Sequence, residues 1–393
     1  MDEAMSNTHH GLIVIADITG YSVYLSESEL DHARDTLETL LEVLVDHTRP
    51  PLVISRLAGD AVISYAMDDR LPRGQTFVEM IEDTYVAFRK AIELMVLNNT
   101  CQCNACANVS SLDLKFFVHC GSFALQHIDE HQELVGSDVN LIHRLLKNRI
   151  KGETGMRAYT LYTQAAIHDL ELEEIVESMP THVENYEHFG DVETRVQDMH
   201  TIWEQKRDSN QIILAEEDVD FELVAQSSAP PHLVWEYMVS PEYRNLLFGS
   251  DRQDIVNRAG GRVTRGSAYQ CFHGDQMTLQ TILEYQPFER MVTEDQGPMG
   301  LRFLSEYRLS PNAQGSQIAI RIGQLRGPAV ARLLFNLVMV RMISAKMKDR
   351  FNEFIDQIEV DLETRGGPDM PEAGASEQEI QAAAAASLPA PSS

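Results

Sequence analysis

Two aspartates stand at or near the ends of apolar, β-type runs: Asp17 in IVIADITGYS (Ile13 to Ser22) and Asp60 in ISRLAGDAVISY (Ile54 to Tyr65). A carboxylate beside a buried strand is costly unless something pairs with it. Two of them at the ends of neighbouring strands are placed to share hard cations such as Mg²⁺, which takes one or two carboxylates plus substrate phosphates. The plainer reading puts one in a turn and the other in a helix-entry loop. In ELVGSDVNLIHRLLKN, Asn140 and Arg144 are four apart on an expected helix and so share a face. There the amide can orient a ribose and the guanidinium can meet phosphate charge. Arg56 lies four positions before Asp60, and Glu133 lies three before Gly136.

A second group is CQCNAC, where Cys101, Cys103 and Cys106 have C-x-C-x-x-C spacing. Three thiols this close suggest a soft ion such as Zn²⁺. Unligated thiols or a redox-responsive loop are the alternative. Cys120, His119 or a partner chain could complete the ligand set. Cys271, isolated in a β-type run, reads as a small core residue.

The chain that must position these groups has 393 residues, 44% of them hydrophobic, enough for more than one core. Its formal net charge of −28 argues against phosphate-backbone binding, which needs a surplus of Lys and Arg, so no nucleic-acid partner is expected. No apolar run approaches the ~20 residues that span a bilayer. The start MDEAMSNTHHGL lacks the pattern of a signal peptide. Five cysteines do not make a disulfide framework, and a reduced, cytoplasmic setting is expected.

Strand and helix patterns alternate over residues 1–210. GLIVIADI reads as a buried strand. SESELDHARDTLETLLEVLVDHTRPP reads as a helix with a Ser26-x-x-Glu29 capping box, and Leu30, Leu37, Leu40, Leu41 and Leu44 fall on one face. LVISRLAGDAVISYA is a hairpin turning at Ala58-Gly59-Asp60, and TFVEMIEDTYVAFRKAIELMVL is a second helix. LDLKFFVHCGSFALQHID reads as two strands about a turn at Gly121. GSDVNLIHRLLKNRI is a short helix, and EHFGDVETRVQDMHTIW reads as a closing strand pair. Residues 98–111 are an insertion carrying the thiols. A second unit, 218–363, opens with a strand, a Pro-containing helix start and a short helix, continues in antiparallel strands and closes on a long amphipathic helix. His273, Asp275 and Glu306 read as solvent-facing strand residues. The Gly-, Pro-, Ala- and Ser-rich tail, 364–393, reads as disordered.

The first unit resembles class III nucleotidyl cyclases, the adenylyl and guanylyl cyclase family, over about residues 10–205. IADITGYS resembles their first metal segment, RLAGD the second, KFFVHCG a core strand, and ELVGSDVNLIHR the segment that supplies their Asn and Arg. The resemblance implies an α+β, ferredoxin-like catalytic domain acting as a homodimer on a nucleoside triphosphate, with ATP favoured. It implies two Mg²⁺ or Mn²⁺ ions on Asp17, Asp60 and the Ile18 carbonyl, and phosphates at Gly20, Tyr21 and Ser22. It implies base contacts from Arg56 and Glu133, and catalytic roles for Asn140 and Arg144. Arg56 and Glu133 stand where adenylyl members carry lysine and aspartate. Leu141, Ile142 and His143 stand where small residues are expected, so packing there is expected to differ. The second unit resembles the START-like (SRPBCC, helix-grip) superfamily in element order, which implies an apolar small-molecule ligand. A catalytically inactive dimerisation module carrying that ligand-binding domain is the alternative.

Overall fold

The computed structural model describes residues 8–67, 72–97, 101, 103–128, 131–207, 214–274, 276–313, 315–330 and 340–364. Residues 365–393 of the tail expected to be disordered lie outside the described residues, as do Asp275 and part of the expected closing helix. The chain is mixed α+β and divides into two compact units, the first running to Ser209 and the second from Asn210 to Pro368. No described helix is long and apolar enough to cross a membrane.

The first unit begins with β1 (Thr8–Thr19), α1 (Tyr21–Ser26), α2 (Leu30–Thr48), β2 (Val53–Ala58), β3 (Ala61–Met67), α3 (Gly74–Leu97) and α4 (Asn104–Asn108). It continues through β4 (Asp113–Ile128), β5 (His131–Val135), α5 (Ser137–Leu145), α6 (Ile150–Thr154), β6 (Tyr159–Thr163), α7 (Gln164–Asp169) and α8 (Glu173–Val176). It ends with β7 (Thr181–Tyr186), β8 (Gly190–Asp198) and α9 (Met199–Arg207). Its sheet runs β2-β3-β1-β4-β6-β8-β7, with β5 on β4. β1 is central because Leu12 to Ala16 are apolar without a break and all buried. Ile13 and Ile15 share one face with Ile63, Phe117, Tyr159 and the α5 residues Val139, Ile142 and Leu145. α2 and α3 pack on each other and on β3 and β4, and since neither contributes to that cluster, they cover the other face.

In α2, Leu37, Leu40, Leu41 and Leu44 are fully buried, each worth about 1.5–3 kcal/mol against exposure. Leu30 is not with them: it is the first residue of the helix and largely exposed. The expected capping box is also absent. Ser26 closes α1 and its hydroxyl donates to the Val23 carbonyl, while the Glu29 carboxylate accepts from the Ala105 amide at 3.0 Å. The hairpin at Ala58-Gly59-Asp60 forms as expected, with Gly59 at φ 66°. Gly121 does not turn. β4 runs straight through it, and a Cβ there would sit 2.5 Å from the Asp138 carboxyl group. The glycine serves close approach rather than reversal. The closing strand pair expected within EHFGDVETRVQDMHTIW is not contained there: the stretch holds only β8, whose partner β7 precedes it, and from Met199 it is helical.

The second unit comprises β9 (Val219–Ser227), α10 (Pro231–Val239), α11 (Pro241–Phe248), β10 (Arg252–Val256), β11 (Ala268–His273) and β12 (Gln276–Gln286). β13 (Arg290–Gln296), β14 (Arg302–Asn312), β15 (Gly315–Arg326) and α12 (Val340–Thr364) complete it. Its antiparallel sheet runs β10-β11-β12-β13-β14-β15-β9. Pro231 and Pro241 each open a helix, where the missing N–H costs nothing. Phe351, Phe354, Ile355 and Ile358 of α12 pack with Trp235, Tyr237, Tyr269 and Met291. Cys271 is buried core, as expected, and His273 is exposed. Glu306 corrects the expectation of a solvent-facing residue: it is fully buried. Its carboxylate meets Arg290 at 2.5 Å, Arg321 at 2.8 Å and Arg308 at 3.1 Å, and three guanidiniums offset its desolvation.

Candidate functional site

Asp17 is the tenth residue of β1 and lies in register with Ala61 on β3 and Lys115 on β4. Asp60 occupies the turn just before β3, and its carbonyl accepts the Ile18 amide at 3.0 Å. The sheet therefore sets the two aspartates side by side, both half-buried. Burial raises Asp17 above the usual carboxylate range, with Lys115 offsetting it in part. Burial and then the charge of Asp17 push Asp60 up to about 6. Among the described residues, neither side chain has an ion-pair partner within 4.0 Å. Two adjacent hard oxygen donors whose proton affinities are both raised, chiefly by burial, are a donor set suited to Mg²⁺ or Mn²⁺. Lys115, the first residue of the KFFVHCG segment, is a participant to which the resemblance gives no role, although a lone lysine in the apolar run DLKFFV is a usable signal. Burial lowers its pKa, and Asp17 opposes that shift.

Beyond β1 the chain turns at Gly20, whose φ of 92° suits glycine. Tyr21 and Ser22 form the first turn of α1, with Tyr21 buried and Ser22 exposed. Burial, then Asp60, pushes the Tyr21 hydroxyl up to about 12. Arg157, also outside the motifs, reaches this loop: its Nη2 donates to the Ser111 carbonyl and lies 3.9 Å from where a Gly20 Cβ would stand.

Asn140 and Arg144 are both exposed on α5. The helix is fixed by Ile142, fully buried, and by Asp138, which accepts the Ser122 amide at 2.7 Å and lies 3.6 Å from His119. The expected bulky packing between Asn140 and Arg144 is thus core packing by Ile142. Arg56 and Glu133 meet each other, Nη1 to Oε1 at 2.9 Å, each about half exposed. His143 is lowered by burial and then by Arg56, which brings α5 close to that pair. Among the described residues, no hydrogen bond or ion pair joins Asp17 or Asp60 to Asn140 or Arg144. α5 begins beside Gly121, six residues along β4 from Lys115, and just past its end Asn148 accepts the Tyr159 hydroxyl at 2.8 Å, with Lys115 Nζ 5.4 Å from the centre of that ring.

The thiols converge on a residue that carries no motif of its own. Cys101, Cys103, Cys106 and His32 of α2 present ligand atoms that all lie within 4.8 Å of one another. Neither residue expected as a fourth ligand from this chain is there. His119 is buried against Thr163 at 2.9 Å, and Cys120 is buried within the sheet.

Residues 37–154 match the model of a family described as a protein of unknown function, DUF2652. A curated relative, the uncharacterized protein Rv2561/Rv2562 of Mycobacterium tuberculosis, is 32% identical over 114 residues, 28% of this chain and 51% of the relative. The chain thus spans about half the length of the curated relative it matches. Among solved structures, a bacterial light-regulated adenylyl cyclase is similar at 10% identity, covering 51% of this chain and 57% of its own, with a TM-score of 0.36. The guanylyl cyclase Cya2 is similar at 12% identity, covering 48% and 91%, with a TM-score of 0.36. The adenylyl cyclase CyaB from P. aeruginosa is similar at 14% identity, covering 49% and 95%, with a TM-score of 0.35. Likeness at these levels carries no functional argument; the chemistry must be read from the residues themselves.

Proposed function

We propose that the first unit is a class III-type nucleotidyl cyclase that converts a nucleoside triphosphate, ATP by preference, to its 3′,5′-cyclic monophosphate and pyrophosphate. The observation that carries this reading is the Asp17–Asp60 pair. Two adjacent carboxylates are held at a strand end with raised proton affinity and no ion-pair partner among the described residues. Asp17, Asp60 and the Ile18 carbonyl would hold two Mg²⁺ or Mn²⁺ ions, which when bound supply charge that favours attack of the 3′-hydroxyl on the α-phosphate. A bond forms from the 3′-oxygen to the α-phosphorus as the bond to the bridging oxygen breaks. Pyrophosphate leaves with that electron pair, and the hydroxyl proton passes to solvent. The amides of Gly20, Tyr21 and Ser22 cradle the β- and γ-phosphates. Arg56 and Glu133 read the base, with their mutual ion pair opening onto it. Asn140 orients the ribose, and Arg144 meets the charge that develops at the phosphates.

The site is proposed to be shared by two protomers of a homodimer, as the resemblance to class III cyclases implies. Incubating the pure protein with ATP, GTP, CTP and UTP and with Mn²⁺ or Mg²⁺, followed by mass spectrometry, tests the activity. Folded protein giving no cyclic product from any of the four leaves the inactive dimerisation module as the better account. Mixing Asp17→Asn with Arg144→Ala tests the sharing. Two inactive variants that exchange subunits should regain activity, because one site of the heterodimer carries neither lesion.

The second unit is proposed as a START-like, helix-grip domain that modulates the first by binding a small apolar ligand. The antiparallel sheet closed by α12 supports this. Lipid extraction followed by native mass spectrometry tests it, and protein that carries and takes up nothing apolar refutes it.

A further inference from the structure

The His32–Cys101–Cys103–Cys106 cluster shares no residue with the aspartate pair and is not used by the proposed cyclase chemistry. His32 lies in the first turn of α2, and its Nδ1 is 3.2 Å from Cys103 Sγ, 3.5 Å from Cys106 Sγ and 3.8 Å from Cys101 Sγ. A tetrahedral zinc ion with bonds of about 2.3 Å to sulfur and about 2.0 Å to nitrogen has nitrogen–sulfur edges of about 3.5 Å. The three distances bracket that value.

Two amides already point at the sulfurs: Cys103 N donates to Cys101 Sγ at 3.5 Å, and Cys106 N donates to Cys103 Sγ at 3.4 Å. These bonds hold Cys101 and Cys103 Sγ facing the His32 ring. The ring is held to the loop by a second tie three residues earlier, where Glu29 accepts the Ala105 amide at 3.0 Å. A redox pair needs two thiols and no imidazole, so three sulfurs and a ring nitrogen aimed at one point describe a coordination shell.

We propose that His32, Cys101, Cys103 and Cys106 form a closed, four-coordinate zinc site of structural type. Its role is to pin α2 to the connection between α3 and β4. α4, which carries Cys106, also packs on α1, so the ion steadies the segment that follows Gly20. With four protein ligands the site has no open position for a substrate.

The test uses the full chain and zinc alone. Protein purified without chelator should carry about one zinc per chain by elemental analysis. Replacement by Co²⁺ should give the visible bands of a tetrahedral thiolate complex. His32→Ala should weaken zinc binding by more than the roughly 10–100-fold that loss of an outer-shell partner costs. His32→Cys, a four-sulfur set, should restore it with a stronger sulfur-to-cobalt charge-transfer band. If variants fold poorly, cobalt titration of the unaltered chain still decides. Chain that takes up no zinc or cobalt, cobalt bound in octahedral form, or His32→Ala binding zinc as tightly as the parent would each overturn the assignment. Asp17→Asn should keep its zinc, so failure of the cyclase reading and failure of this one are separable.

Discussion

Glu306 and Asp60 are both carboxylates drawn into a sheet, and their surroundings differ in kind. Glu306 sits among Arg290, Arg308 and Arg321, with Glu284 completing the arrangement on Arg290 at 2.7 Å. Every charge there has an opposite neighbour. Asp60 has Asp17 beside it and Lys115 at a distance, and burial first, then the charge of Asp17, raises its proton affinity. Buried charge that is fully paired belongs to the architecture. Buried charge left short of a counter-ion is destabilising by itself, and persists where something outside the chain is to supply the missing charge.

That contrast can be broken first at Glu306. Glu306→Ala leaves three guanidiniums without their shared acceptor and should lower unfolding free energy by about 3–5 kcal/mol, measured by denaturant titration. A loss below about 1 kcal/mol would show the network to be ornamental. Asp17→Asn should do the reverse. On the proposed cyclase reading, activity should drop about a hundredfold or more, while thermal stability holds or rises because Asp60 loses a repelling neighbour. A clear fall in melting temperature would place Asp17 among the structural charges. Arg56→Ala removes a pair that is half exposed, so stability should move by no more than about 1 kcal/mol. The measurable change should be in the ratio of ATP to GTP turnover, and an unchanged ratio removes Arg56 and Glu133 from base reading.

The smallest effect concerns Asp295, which burial pushes up to about 6 from 3.8 despite hydroxyl hydrogen bonds from Thr293 and Ser305. A carboxyl group whose folded-state pKa is raised binds its proton more tightly when folded. Its contribution is greatest in acid and is lost as pH rises from about 4 through about 6. Relative to Asp295→Asn, the parent should therefore lose stability across that window. Parallel melting curves from pH 4 to 7 would show that Asp295 titrates normally.

The parts of the fold that rest on local pattern are legible in the sequence. The Leu12–Ala16 run marks a buried strand, Gly59 marks a hairpin, and four-residue spacing puts Asn140 and Arg144 on one face. The illegible parts depend on residues brought from elsewhere. Gly121 reads as a turn because the carboxyl group that needs its bare Cα belongs to Asp138. Glu29 fits a capping pattern but serves a loop 76 positions away. Glu306 alternates like a surface residue, since the arginines that bury it lie across β13, β14 and β15. His32 carries no mark of its own, because the sulfurs that single it out are 69 to 74 positions further on.

β4 pairs with β1 over an unbroken register from Thr8–Ala124 to Thr19–Asp113. That pairing has a consequence for how the molecule comes into being. β1 and β3 can meet once the chain has been made as far as Met67, but Lys115, Gly121 and the seat of α5 wait for a strand that begins at Asp113. Such distant pairings close slowly. On the ribosome, the aspartate pair is therefore assembled first and stands with one flank of β1 bare until β4 emerges. A slip of one position at that step would turn Lys115 away from Asp17 and Gly121 away from Asp138 together, so both halves of the site are right or wrong as one.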